Sequence, residues 1–137
     1  MSYGVSAALQ TAVFDALIND VELNALLSGA VYDALPAGPL PALYAILGSE
    51  DVKDASDKSG GGALHEFTVT VVTESAGFSS AKIAAATISD VLINNNLTLS
   101  RGTLVALNFY KARAARIGTG DKRQIDLIFR ARVADET

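Results

Sequence analysis

The 137-residue chain has one histidine and no cysteine, and this limits the chemistry open to it. Without cysteine, a disulfide scaffold, a thiolate zinc site and a cysteine nucleophile are excluded. His65 stands beside Glu66. To act as a general base it needs a positioned partner, Glu66 or Asp90, and a cleft that admits substrate. A lone imidazole at a strand entrance reads instead as a structural residue. Asp51, Asp54 and Asp57 recur every third residue, but a calcium loop needs alternating ligands, a central glycine and a closing glutamate. Solvated acidic loop is the simpler reading. Gly60-Gly61-Gly62 is followed by Ala-Leu-His, not Lys-Ser or Lys-Thr, and so does not form a phosphate-binding loop. Gly118-Thr119-Gly120-Asp121 has the composition of a hairpin turn. With no G-x-S-x-G elbow and no carboxylate pair set for acid–base work, the expectation is a protein that is not an enzyme and uses no cofactor or metal.

The positive signal is charge. Arg101, Lys111, Arg113, Arg116, Lys122, Arg123, Arg130 and Arg132 fall close together, opposed only by Asp121 and Asp126. The whole chain carries a net charge of −4. Its first 100 residues hold three basic and 11 acidic groups (−8), and its last 37 hold eight basic and four acidic (+4). This reversal predicts an acidic and a basic surface on one domain. The basic stretch suits either phosphate contacts that ignore base sequence or ion pairs to acidic regions, including those of a neighbouring copy. Half of the residues are hydrophobic, which excludes disorder and suggests apolar area to share with neighbours. No apolar run approaches the roughly 18 residues needed to cross a bilayer, and the N-terminus lacks a basic segment leading an apolar one. The expectation is a cytosol-compatible domain without membrane contact.

The elements that must position these groups follow from periodicity. Ser2 can cap a helix whose Val5, Leu9, Ala12, Val13, Ala16 and Leu17 share one face. Asn19 or Asp20 caps a short second helix that buries Leu23, Leu26 and Leu27, with Gly29 at its end. All three prolines fall at 36, 39 and 41 and interrupt regular structure. Residues 42–48 are continuously apolar and read as a covered strand. Residues 49–62 read as an acidic flexible loop. Phe67, Val69, Val71 and Thr73 alternate with Glu66, Thr68 and Thr70 on a further strand. Ser79 or Ser80 then caps a helix with Ile83, Thr87, Ile88, Val91 and Leu92 inward. A long β-hairpin closes the chain, with arms at 104–116 and 124–133 and a turn at 117–123. Ile125, Leu127, Phe129, Ala131 and Val133 alternate strictly along its second arm, so a one-residue slip would bury two arginines. Residues 1–137 form one α+β domain: a mainly antiparallel sheet with a long C-terminal β-hairpin and two or three helices packed on one face.

The order of these features resembles the tail-completion, or tail-terminator, proteins of long-tailed phages and phage-derived gene transfer agents. The resemblance is carried by Val31-Tyr32-Asp33, then Pro41-Ala42-Leu43-Tyr44-Ala45-Ile46-Leu47-Gly48. It continues through the acidic loop, His65 opening Phe67-Thr68-Val69-Thr70-Val71, Gly77 before Ala81-Lys82-Ile83, and a terminal strand with Phe129-Arg130. It spans nearly the whole chain, with Ala42 where the family carries an aromatic and Tyr44 two positions on. It implies a structural virion protein that forms a ring, typically a homohexamer, at the head-proximal end of the tail. The ring stops tube polymerisation, docks the head–tail connector and lets DNA pass through its lumen without sequence-specific recognition. The implied partners are further copies, the tail tube protein and the connector. The implied location is a phage-like particle, and the host cytoplasm during assembly. Candidate interface or lumen residues are Arg113, Arg116, Lys122, Arg123, Arg130, Arg132, Asp51, Asp54 and Asp57. Another ring of the head–tail connector or tube, or a non-specific nucleic-acid-binding module, is the alternative reading.

Overall fold

Alternating burial along the second arm of the terminal hairpin places that arm inside the sheet. The computed structural model describes residues 3–56, 60–74, 78–118 and 122–135. Helices α1 (Ser6–Ile18) and α2 (Val21–Leu27) are followed by strands β1 (Val31–Tyr32), β2 (Leu43–Asp54) and β3 (Gly62–Thr73). Helix α3 (Ser79–Asn94) then leads into the hairpin β4 (Thr103–Arg116) and β5 (Arg123–Ala134). The five strands form one sheet in the order β1-β2-β3-β5-β4. β1 pairs with β2 in parallel, and every other pairing is antiparallel. The α+β class, the dominant antiparallel sheet and the C-terminal hairpin are as the sequence implies.

β5 lies inside the sheet, between β3 and β4. Its Ile125, Leu127, Phe129, Ala131 and Val133 are buried and share a side with Phe67, Val69 and Val71 of β3. Phe129 stacks on Phe67 at 5.5 Å and receives Phe109 of β4 edge-on at 5.9 Å, so three aromatic rings form a row across three strands. Leu9, Val13 and Leu17 of α1, Leu23 and Leu27 of α2, and Ile88 and Leu92 of α3 cover this side of the sheet. Along β5 the other side presents Gln124, Asp126, Ile128, Arg130 and Arg132, four polar residues and one apolar.

Three local expectations change. Residues 49–62 are not one long loop: β2 runs on to Asp54, with Glu50 to Asp54 paired to Phe67 to Ala63, and β3 already begins at Gly62. The acidic residues there need no apolar alternation, because this stretch lies at the margin of the sheet with one side open to water. Ile83, expected inward, is 54% exposed, and the buried stripe of α3 is Ala81, Ala84, Ala85, Thr87, Ile88, Val91 and Leu92. Small alanines let the helix lie close to its neighbours, and the branched residue beside them is turned out. Leu26, also expected inside, is 37% exposed.

Caps follow a similar pattern. Asp20 accepts a hydrogen bond from the Leu23 amide at 2.9 Å and starts α2 as expected. Ser2 lies outside the described residues, and Val5 holds the N-cap position of α1 without a side-chain bond. Phe78 does the same for α3, with Ser79 its first helical residue. Ser28 and Gly29 both take left-handed backbone where α2 ends.

Candidate assembly interface

The sheet places its charged side chains by parity. Lys111 and Arg113 oppose Ile128 and Asp126, so they share the open side of the sheet with Arg130 and Arg132. Asp51 and Lys53 oppose Glu66 and Leu64 and lie on that same side, at the opposite margin. Arg116 opposes Arg123 at the end of the hairpin, on the side that carries the helices. Eight of the nine candidate residues therefore divide into three groups. Arg113, Arg130 and Arg132 lie on the open side; Arg116, Lys122 and Arg123 gather near the hairpin turn; Asp51 and Asp54 lie on β2. Asp57 lies outside the described residues.

Several of these groups are already engaged. Arg130 donates from Nε to Glu66 Oε2 at 3.2 Å, and its guanidinium sits 3.5 Å from the centre of the Tyr110 ring. Arg132 Nη2 reaches the Ala55 carbonyl at 3.4 Å. Thr70 Oγ1 and Gln124 Nε2 both donate to Asp126 Oδ1, at 2.8 and 2.9 Å. Lys122 stands 4.0 Å from Glu74, and Arg123 lies over the Phe78 ring at 5.4 Å. Ile117 donates its amide to the Lys122 carbonyl at 2.9 Å, closing the hairpin. Asp54 accepts from both Ser56 Oγ (2.6 Å) and the Ser56 amide (3.1 Å). These two bonds hold its carboxyl below the ordinary value of 3.8, the hydroxyl contributing most.

His65 pairs with Glu50, not with Glu66 or Asp90. It is fully buried, and its Nδ1 lies 3.0 Å from Glu50 Oε2. Glu66 points to the opposite side of the sheet, where it meets Arg130. Glu50 also accepts from Ser6 Oγ at 2.7 Å and from the Tyr3 hydroxyl at 3.3 Å. The imidazole thus ties β3 to β2 and α1 and cannot touch a substrate in solution. Among the described residues no cluster of three or more His, Asp or Glu is placed to hold a metal ion. None of the described helices is long and apolar enough to cross a membrane.

Sequence reasoning missed two features. One is the Glu50 network, because Glu50 looked like one more loop carboxylate. The other is the Arg101–Asp135 pair, bonded at 3.2 and 2.9 Å, with Asp135 buried. No local motif announces a contact between residues 34 positions apart. The structure also exposes apolar side chains along β4: Val105, Phe109 and Tyr110 are 58%, 47% and 44% exposed.

The chain is thus a helix-backed, mainly antiparallel sheet with two charged margins and a buried lone histidine. The family profile "Tail completion protein gp17" matches residues 11–134, and the chain belongs to that family. It is also similar to a chain in a solved structure described as "Virion of native gene transfer agent (GTA) particle". The identity is 55% and the TM-score 0.92, covering 97% of this chain and 99% of that one. No curated protein matches the chain.

Proposed function

We propose that the chain is a structural subunit of a phage-like particle, located at the head-proximal end of the tail. There it forms a homo-oligomeric ring, a hexamer in our reading, that caps the tail tube, stops its polymerisation and joins it to the head–tail connector. The observation that carries this reading is the full-length likeness, at 55% identity, to a chain described in a gene transfer agent virion. Membership of the tail completion family supports it from an independent direction.

The chemistry of the open sheet side suits a passage for DNA. Arg113, Arg130 and Arg132 are interspersed with Asp51, Glu66 and Asp126 rather than forming a continuous basic track. A polyanion binds tightly where many cations replace its counterions together. A mixed surface lets it slide past. Light scattering and electron microscopy of the purified protein, alone and with tube protein, test the proposal. Closed rings that block further tube growth are expected. A strict monomer in every mixture would overturn the ring. Rings that fail to stop tube growth would instead make the chain another ring of the tube or connector.

A further inference from the structure

The two margins of the sheet differ in charge and nearly match in length. β1 pairs only with Ala45 and Ile46, so among the described residues the outer side of β2 carries no strand from Leu47 onwards. β4 is the last strand at the other margin. Each margin contains an irregularity, between Leu47 and Glu50 in β2 and between Phe109 and Lys111 in β4. Beyond those points run two uninterrupted stretches, residues 50–54 and residues 111–116. Lys111, Ala112, Arg113 and Ala114 are all exposed, so neither side of the hairpin arm is covered there. Main-chain donors and acceptors along such a margin are a template for another strand.

We propose that the outer side of β4 in one copy pairs with the outer side of β2 in the next, making the sheets of neighbouring subunits continuous. This rests on the ring reading above and names the surfaces that would build the ring. The occupant is a second copy because the charges are complementary. β4 brings Lys111, Arg113 and Arg116, while β2 brings Glu50, Asp51 and Asp54 against the single Lys53. Among the described residues neither Arg113 nor Asp51 has an ion-pair partner within the chain. Two β4 margins repel each other, as do two β2 margins, so a two-fold dimer through like edges is disfavoured. Unlike edges make a heterologous contact, which repeats and closes when the rotation divides a full turn.

Strand direction is also determined. Three antiparallel steps separate β2 from β4, so the two run in opposite senses within one copy. Rotation about an axis along the strands preserves those senses, and β4 therefore meets its neighbour's β2 antiparallel.

The absence of cysteine makes the test clean. In the register that sets Arg113 against Asp51, Lys111→Cys with Lys53→Cys probes the open side of the sheet, and Ala112→Cys with Val52→Cys probes the helix side. Mild oxidation of the assembled double variants should yield a ladder of covalent multimers on a non-reducing gel, with single-cysteine variants giving no ladder. Arg113→Glu should weaken assembly at least tenfold, and adding Asp51→Arg should restore it. Rings that form normally yet give no ladder from either pair, or that tolerate Arg113→Glu, overturn this pairing and leave the ring intact. A wild-type chain that never assembles overturns both.

Discussion

Glu50 carries more structural weight than any other charged side chain of β2. It is the shared acceptor for Ser6 and the buried His65, so its loss strands two polar groups at once. Glu50→Ala should lower unfolding free energy by about 1–3 kcal/mol, read from denaturant melts of the dissociated chain. Gly102 has φ of +75°, and a Cβ there would lie 2.7 Å from the Ala134 carbonyl oxygen and 2.8 Å from Val5. Neither backbone nor core can yield cheaply, so Gly102→Ala should cost about 1–3 kcal/mol in the same assay. Asp54 offers a pH test. Its folded pKa lies below 3.8 because Ser56 bonds the carboxylate, so the associated stability is present above that value and is lost as pH falls through the lower, folded one. Ser56→Ala should move the Asp54 titration upward towards 3.8 in an NMR titration; an unmoved midpoint would contradict the assignment.

At the level of elements, most of the fold was legible and the exceptions have physical causes. β3 and β5 could be read because they are interior strands packed against helices, where burial forces a period of two. The outer part of β2 could not, since Glu50, Asp51, Lys53 and Asp54 satisfy no hydrophobic pattern while the backbone pairs all the same. In α3, hydrophobicity pointed to Ile83, yet Ala84 is the buried residue. Ala84→Leu should overpack the helix–sheet contact and cost about 1–3 kcal/mol. Ile83→Gln should change the stability of the dissociated chain by no more than about 0.5 kcal/mol. The reverse ranking would mean that α3 is rotated relative to the structure. The basic candidates were legible as residues but not as a site. Folding separates Arg116, Lys122 and Arg123 from Arg113, Arg130 and Arg132, and alternation along a strand cannot foretell which arginine finds Glu66.

For the whole molecule, the charge reversal along the chain becomes a difference between the two margins of one sheet. The N-terminal half supplies acidic β2 and the C-terminal hairpin supplies basic β4, with β3 and β5 between them. Such a unit is suited to the proposed head-to-tail contact, and its single histidine is buried. Exposed ion pairs are screened within about 10 Å at 0.1 M salt, so assembly should weaken as ionic strength rises while the fold persists, a contrast that light scattering and circular dichroism together resolve. The most direct measurement is native mass spectrometry of the chain over a range of concentrations, with and without tail tube protein. The account predicts one closed multiple of 14.2 kDa, about 85 kDa for six copies (6 × 14.2), with no larger series. A lone 14.2 kDa species in both mixtures, or an open-ended ladder of masses, would contradict it.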